Sequence, residues 1–299
     1  MDAPEHGFLG LPEECRDPDA SRVHVLPVPW EATVSYGQGT RDGPQAIITA
    51  SQQVELYDPA RDGEPALSYG VHTLPSLLPT YESPEAMTER IAEATADIVR
   101  RGKLPLLLGG EHTISLGGVR GALRVLGGPV DVVQIDAHAD MRESYQGTPY
   151  SHACVMRRIF EADAGRLLQV GIRSYSMEEA HFSQAHRERI RIWTASDIRS
   201  RGSDRWIAEV AEAVAGRRIW LTIDVDGLDP SVIPATGTPE PGGLAWYEAL
   251  ALTEAVVRSG KAVGMDCVEL APRPGLHMSE FAAARLLHAT LNAVFAGKA

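Results

Sequence analysis

Apolar residues along the chain occur in short, nearly continuous runs, and the stretches between them repeat apolar residues with a helical period. Continuous runs are typical of parallel strands whose two faces are both covered by helices. The runs that predict strands are 23–28, 103–110, 130–138, 166–173, 189–195, 218–226 and 261–270. The helical stretches are 83–102, 203–216, 243–260 and 278–297. This alternation predicts one doubly wound α/β sheet with mainly parallel strands.

Length and composition set limits on the function. The 299 residues suit one domain, and we expect a single domain over 1–299 with an irregular N-terminal arm over about 1–20. Forty acidic against 28 basic side chains give a net charge of −12, which argues against nucleic acid and anionic membranes as partners. The charge is compatible with a cationic substrate, although it also serves solubility alone. Three scattered cysteines, no signal peptide and no apolar run near ~20 residues predict a cytoplasmic protein.

The segment QIDAHAD at 134–140 places Asp136, His138 and Asp140 at alternate positions directly after an apolar run. Alternate side chains of an extended chain point the same way, and ligands of open α/β sheets bind at the carboxyl ends of strands. A capping or salt-bridged Asp–His pair is the plainer interpretation. Two acids beside one imidazole favour a metal site, because unpaired carboxylates are costly to bury.

Two further segments end apolar runs in the same way. In TIDVDGLDP, Asp224 and Asp226 alternate, so they either share a cation that relieves their repulsion or are solvated turn acids. In LLLGGEHT, two glycines permit a tight turn before His112, and taken alone a histidine in this setting is more often structural than metal-bound. Asp229 is expected to form a turn before Pro230 and to bind no metal.

Together, these strand ends supply four carboxylates and two imidazoles. The candidate metal ligands are His112, Asp136, His138, Asp140, Asp224 and Asp226. Four carboxylates balance the charge of two divalent ions, and carboxylates mixed with imidazoles favour manganese. Two metals about 3.5–4 Å apart can activate a water, so the set predicts a hydrolase.

Three motifs, GGEHT, DAHAD and TIDVDGLDPSVIPATGTPEPGG, resemble in order and spacing those of the ureohydrolases, the arginase and agmatinase family. The similarity extends from residue 25 to residue 272, and VSYGQGTRDGP and GTPEPGG are similar to segments of bacterial and archaeal agmatinases. The resemblance implies a three-layer α/β/α fold in a single catalytic domain with two Mn²⁺ per subunit. It also implies assembly into a homotrimer or homohexamer.

The resemblance further implies a role for each residue. One ion would be held by His112, Asp136, Asp140 and Asp224, and the other by Asp136, His138, Asp224 and Asp226. A water activated between the ions would attack the guanidinium carbon, and Asp140 would pass a proton toward the leaving amine. Glu269 in DCVELAP resembles the acid that grips the guanidinium, a task suited to a carboxylate that accepts paired hydrogen bonds. His152 in PYSHACVMRR resembles the histidine that shuttles protons at the mouth of the site.

These features predict an amidinohydrolase that releases urea from a small cationic guanidino compound, with agmatine as the first candidate. Guanidinobutyrate, guanidinopropionate and arginine stay open as substrates. A zinc deacetylase of a related fold is a second hypothesis, but it would keep one Asp/His/Asp site, whereas His112 and Asp140 complete another. A silent homologue that acts only as a binding partner is a third, and it would have lost a ligand or Glu269, all of which are present.

Overall fold

All strands of the computed structural model, which describes residues 7–80 and 82–296, run parallel in one eight-stranded sheet. Their order across the sheet is β2-β1-β3-β8-β7-β4-β5-β6. The strands are β1 (Val23–Val28), β2 (Val71–Thr73), β3 (Leu104–Gly109), β4 (Asp131–Ile135), β5 (Leu167–Ile172), β6 (Ile190–Thr194), β7 (Arg218–Asp224) and β8 (Lys261–Val268). The helices are α1 (Gly43–Ser51), α2 (Pro65–Tyr69), α3 (Pro84–Arg100), α4 (Ile114–Leu126), α5 (Val155–Glu161), α6 (Met177–Ala185), α7 (Ala195–Arg201), α8 (Ser203–Val214), α9 (Trp246–Ser259) and α10 (Met278–Phe295).

Each face of the sheet is covered by helices and has its own apolar core. Leu107 of β3 and Trp220 of β7 are buried in one core together with Ile91 of α3. Leu221, the next residue of β7, is buried in the other core together with Leu287 of α10. Because successive strand residues face opposite sides of the sheet, a sheet with a core on each face needs apolar residues at successive positions. This explains the continuous apolar runs. The predicted three-layer α/β/α fold is confirmed.

Helix α3 shows the local signals that the sequence carries. The Ser83 side chain accepts a hydrogen bond from the Ala86 amide at 3.0 Å, and Pro84 stands at the first helical position. By contrast, the sequence analysis did not assign α4, whose helical pattern is interrupted by glycines. A Cβ at Gly117 would lie 2.6 Å from the Ile91 Cβ, so the small residue is needed for α4 to pack closely on α3.

Two strands that precede candidate ligands, β4 and β7, end earlier than predicted. Strand β4 ends at Ile135 and β7 ends at Asp224, so the acids that follow them lie in loops. Asp140 has a left-handed backbone with φ of 53°, and Asp226 lies in a 3-10 turn. Alternation along a strand is therefore the wrong reason for the convergence of these side chains, which the loop conformations bring about instead.

The N-terminal arm is described only in part, since residues 1–6 of the predicted arm lie outside the described residues. The rest forms two 3-10 turns, Phe8–Gly10 and Glu13–Cys15, and Phe8 and Leu11 are buried in the core that α1 covers. Within residues 7–80 and 82–296, none of the helices has the length and apolar character that crossing a membrane requires.

The strand order creates a crevice at the centre of the sheet. The chain passes from β3 to β4, but β8 and β7 lie between these two strands. In open α/β sheets, ligands bind outside the carboxyl ends of the strands at such a point of changing direction. The loops that follow β3, β8, β7 and β4 all emerge there, and they carry the residues that the sequence analysis singled out.

Candidate metal centre

His112 is placed at the crevice by the GGEHT segment that follows β3. The Gly110 amide bonds to the Val28 carbonyl at 3.0 Å, and the Trp30 backbone occupies the space that a Cβ of Gly110 would need. Neither glycine of the pair has a positive φ. Gly110 is therefore required because the Trp30 backbone approaches it closely, and not because the chain makes the expected tight turn.

A first group of possible ligands surrounds the His112 ring. Donor atoms of His112, Asp136 and Asp224 lie within 4.8 Å of one another, and all three residues are buried. The His112 Nδ1 is 3.1 Å from an Asp136 oxygen and 3.3 Å from an Asp224 oxygen. Asp140 stands beside them, with its Oδ2 3.0 Å from the same nitrogen.

A second group shares Asp136 with the first. It consists of Asp136, His138 and Asp226, whose donor atoms also lie within 4.8 Å of one another. The His138 Nδ1 is 3.1 Å from Asp226 Oδ2 and 3.6 Å from Asp136 Oδ1. The fold therefore brings all six predicted side chains to two adjacent places joined by one carboxylate.

The His112 ring tests whether this donor set fits a metal ion. The Thr222 hydroxyl donates to Asp266 at 2.6 Å, so its lone pairs face the His112 Nε2 at 2.9 Å and require the ring proton there. The other nitrogen, Nδ1, faces three carboxylates, and no partner among the described residues is aligned to bond it. A buried imidazole nitrogen amid three carboxylates, oriented by a hydrogen bond on its other nitrogen, fits a metal ligand.

The electrostatics of the cluster favour the binding of a cation. Burial and the charge of Asp136 raise the pKa of Asp140 to about 7. Burial and the charges of Asp226 and Asp136 likewise raise the pKa of Asp224 well above its usual range. Burial opposes the charged form of His138, yet Asp136 and Asp226 outweigh it and raise its pKa to about 12. Carboxylates packed this closely are stabilised by bound cations.

Surrounding side chains hold the acids in place. Gln134 donates to Asp136 Oδ2 at 2.6 Å and itself accepts a hydrogen bond from Gln169 at 2.5 Å. Thr238 donates to Asp226 Oδ2 at 3.2 Å, and the amide of Asp226 bonds to Asp224 Oδ1 at 2.9 Å. Such support fixes the direction of each donor atom before a ligand binds.

Glu269 follows β8 and lies against the same cluster. Its backbone is left-handed, with φ of 64°, and its amide bonds to the Gly110 carbonyl at 2.8 Å. The Oε1 atom accepts the His112 amide at 2.7 Å. Burial and the neighbouring Glu111 carboxylate raise the pKa of Glu269 well above its usual range. A bound cation next to Glu269 would favour its ionised form.

His152 lines the same cavity, which has a volume of about 330 Å³ and is also bordered by Asp140, Asp224 and Glu269. Burial is the main cause that lowers the pKa of His152 to about 4. The cavity is within the size range of small-molecule sites. All eight residues predicted for the site thus border one cavity or the carboxylate cluster beneath it.

Three further residues near the site have no assigned chemical role. Asp229 accepts hydrogen bonds from the amides of Ser231 and Gly242, as expected of a turn residue. Cys154 is buried, and burial raises its thiol pKa to about 11, which keeps it protonated. Arg173 donates hydrogen bonds to backbone carbonyls, among them those of Asp226 and Glu240.

Several side chains at the site were not predicted from the sequence. Glu111 is fully buried, Thr33 contacts His152, and Arg142 lines the cavity. An acid within the apolar GGEHT stretch was a usable signal for Glu111, since buried carboxylates need partners. No signal in the sequence identified Thr33, because its contacts lie 78 and 119 residues away along the chain.

Comparisons with known proteins agree with this geometry. The sequence model of a family described as the arginase family matches residues 21–292. The chain is 38% identical over 270 residues to the N(1)-aminopropylagmatine ureohydrolase of Synechocystis sp., covering 89% of this chain and 87% of that protein. It is 33% identical to the guanidinobutyrase of Pseudomonas aeruginosa over 85% of this chain and 80% of that protein. The crystal structure of the agmatine ureohydrolase of Thermoplasma volcanium superimposes with a TM-score of 0.84 at 32% identity, covering 94% and 93% of the two chains.

Proposed function

The chain belongs to the arginase family of hydrolases that act on guanidino C–N bonds, and on that premise we propose that it is a binuclear manganese enzyme that releases urea from an amine-tailed guanidino compound. The observation that carries the proposal is the pair of ligand groups sharing Asp136, with Glu269 on the wall of the same cavity. A zinc deacetylase with a single metal site would leave the second ligand group without a purpose.

The proposed ligands divide between two ions. His112, Asp136, Asp140 and Asp224 would hold one, and Asp136, His138, Asp224 and Asp226 the other. Carboxylates mixed with imidazoles favour manganese, and four carboxylates match the charge of two divalent ions. Once bound, the metal pair would supply Lewis acidity and lower the pKa of a water between them.

The remaining side chains would bind the substrate and move protons. The buried carboxylate of Glu269 would pair with the planar guanidinium through two hydrogen bonds, which fixes the carbon to be attacked. Asp140 borders both the cavity and the ligand cluster, so it would accept a proton and pass it to the leaving amine. His152, on the cavity wall, would take a second proton from solvent and pass it to the amine, which leaves as an ammonium ion.

An amine tail is supported by the outer part of the cavity. Tyr36 and Tyr175 line it and are 81% and 43% exposed, so their ring faces are available to an alkylammonium group through cation–π contact. Agmatine and its N1-aminopropyl derivative both carry such a tail. The derivative is named by the relative at 38% identity, so it should be tested beside agmatine.

The function is tested by urea release from the Mn²⁺-loaded protein. We expect urea from agmatine or N1-aminopropylagmatine, with a kcat/KM at least tenfold above that for arginine or guanidinopropionate, because these two present a carboxylate where the cavity offers tyrosine rings. Metal analysis should give two ions per chain. The proposal fails if no guanidino compound yields urea, or if the active protein contains one zinc.

One observation favours guanidinobutyrate as a second candidate substrate. Arg142 lines the cavity with its side chain 35% exposed, and a guanidinium is a suitable partner for a carboxylate tail. However, Arg142 lies 3.8 Å from the Glu179 carboxylate and stacks 5.2 Å from the Tyr145 ring centroid, so it is already partnered. This arrangement makes its charge less available to a substrate.

Arg142→Met separates the two candidates. We expect kcat/KM for amine-tailed substrates to change by less than about threefold or to rise, since the variant removes a like charge. A guanidinobutyrase would instead lose at least about tenfold, because the carboxylate would lose its partner. Arg124→Met, which removes an exposed ion pair with Glu89, serves as the matched control. A tenfold loss with agmatine would contradict the assignment of an amine tail.

Three further properties complete the proposal. We propose one catalytic domain over the whole chain. The subunits would assemble into a homotrimer or homohexamer, and light scattering coupled to gel filtration would measure this oligomeric state. We also propose that the enzyme acts in the cytoplasm, where small guanidino compounds would be available to it.

A further inference from the structure

Glu111 is a buried acid for which the proposed chemistry has no role. Its Oε2 accepts the amides of Ala32 and Thr33, both at 2.6 Å. Its Oε1 accepts the hydroxyls of Thr33 at 2.8 Å and Thr113 at 2.7 Å. The two oxygens of an ionised carboxylate can accept four hydrogen bonds, so Glu111 acts here only as a hydrogen-bond acceptor. The loop after β1 is thereby held against the loop after β3.

This arrangement fixes the direction of the Thr33 hydroxyl. Its single proton points to Glu111, so its oxygen can act only as an acceptor toward other groups. The oxygen accepts the backbone amide of His152 at 3.0 Å and lies 3.2 Å from the His152 Nδ1. Two lone pairs facing each other at that distance would repel, so the Nδ1 carries a proton that it donates to Thr33.

We propose that Thr33, held by Glu111, is a positioning residue that fixes His152 in the tautomer with its proton on Nδ1 and leaves the Nε2 lone pair for proton transfer. The inference rests on the proposed function, because it concerns the proton that leaves with the amine product. In an imidazole, the hydrogen bond at one nitrogen decides which tautomer the other presents. The Nε2 takes up a proton and releases it, so the ring returns to the same neutral tautomer after each turnover.

The other neighbours of the ring do not set the tautomer in this way. The Ser151 hydroxyl lies 3.3 Å from the same Nδ1, but its proton is free to rotate, so it adapts to either tautomer. The Tyr145 ring meets His152 edge-on, with centroids 5.9 Å apart and planes at 90°, which restricts the tilt of the imidazole. Among the contacts of the ring with the described residues, only the Thr33 oxygen, whose proton is committed to Glu111, distinguishes the two nitrogens.

Paired substitutions at residue 33 test the inference. Thr33→Val removes the hydroxyl and keeps the shape, whereas Thr33→Ser keeps the hydroxyl. Proton transfer by a positioned side chain contributes about 10²–10⁴-fold to a rate, so we expect Thr33→Val to lower kcat by about 10- to 100-fold with KM within about threefold. Thr33→Ser should stay within about threefold of the wild type. Metal content and the thermal unfolding midpoint report whether the variants are intact.

A double-mutant cycle shows whether Thr33 acts through His152. Adding Thr33→Val to a His152→Asn background should lower kcat by less than about twofold further, because the residue that Thr33 positions is already gone. Should Thr33→Val not fold, Thr33→Ala takes its place in the same cycle. The inference is overturned if Thr33→Val turns over like the wild type, if Thr33→Ser falls equally far, or if the two losses multiply.

A measurement that does not depend on turnover separates the test of the His152 tautomer from the test of the proposed function. In protein labelled with ¹⁵N-histidine and loaded with diamagnetic Zn²⁺, the His152 signals are identified by their loss in His152→Asn. We expect a protonated Nδ1 and an unprotonated Nε2 in the wild type and in Thr33→Ser, and a mixture in Thr33→Val. A protonated Nε2 in the wild type would overturn the inference even if urea is released. Absence of urea would defeat the proposed function, while the ¹⁵N shifts would still decide the tautomer.

Discussion

Asp136→Asn is expected to remove both metal ions and to lower kcat at least about 1,000-fold, because this carboxylate belongs to both ligand groups. Its two oxygens lie 3.1 Å from the His112 Nδ1 and 3.6 Å from the His138 Nδ1. Asparagine has nearly the same shape but lacks the charge and one of the two acceptor oxygens. Elemental analysis of the purified protein and a urea assay with added Mn²⁺ measure the two effects.

Asp229→Asn is the matched control for this substitution. Asp229 stands in the motif that contains Asp224 and Asp226, and its carboxylate accepts hydrogen bonds from the loop amides of Ser231 and Gly242. We expect this variant to keep two ions and to turn over within about threefold of the wild type. An Asp136→Asn protein that still held two ions and released urea would show that Asp136 does not join the two ligand groups.

Glu269→Gln is expected to keep both ions and to lower kcat/KM by about 100- to 10,000-fold. Glutamine can still accept the His112 amide at the Oε1 position, where the distance is 2.7 Å, so the loop should hold its shape. The charge that would pair with the guanidinium is lost. Burial and Glu111 raise the pKa of Glu269 well above its usual range, so a bound cation would favour its ionised form. Glutamine keeps the shape of the side chain without its charge.

The effect of Glu269→Gln should appear in steady-state kinetics with the best substrate of the panel, beside metal analysis. Glu280→Gln offers a control, since Glu280 is also buried, at 9% exposure, but lies outside the lining of the site cavity. We expect the control to retain both ions and its turnover. If Glu269→Gln were as active as the wild type, another residue would have to bind the guanidinium.

Local patterns in the sequence predicted most of the sheet and several helices. Residues 23–28 were predicted as a strand, and β1 is Val23–Val28. The helix predicted over 83–102 is Pro84–Arg100, capped by Ser83 as expected. These patterns predict the elements correctly because helix caps and runs of apolar residues in buried strands act within a few residues of the chain. The short edge strand β2 was missed, since three residues carry too little pattern.

The conformation around the site was less accessible from the sequence. Strand alternation was used to bring Asp136, His138 and Asp140 together, but β4 ends before them and Asp140 turns back through a positive φ. A left-handed residue that is not glycine has no reliable sequence signal, because its strain is balanced by contacts elsewhere. The metal-ligand assignment itself stays a prediction until ions are measured.

The sequence by itself determined which donor atoms are available, since acids and histidines follow apolar runs at three places along the chain. Only the tertiary structure decided which of them meet, because β8 and β7 lie between β3 and β4 and bring Glu269 and Asp224 beside residues far from them in the chain. The contact of Thr33 with His152, 119 residues apart, was likewise invisible in the sequence. The physical reason is that side-chain types and local periodicity are properties of neighbouring residues, whereas strand order is settled by the packing of the whole sheet.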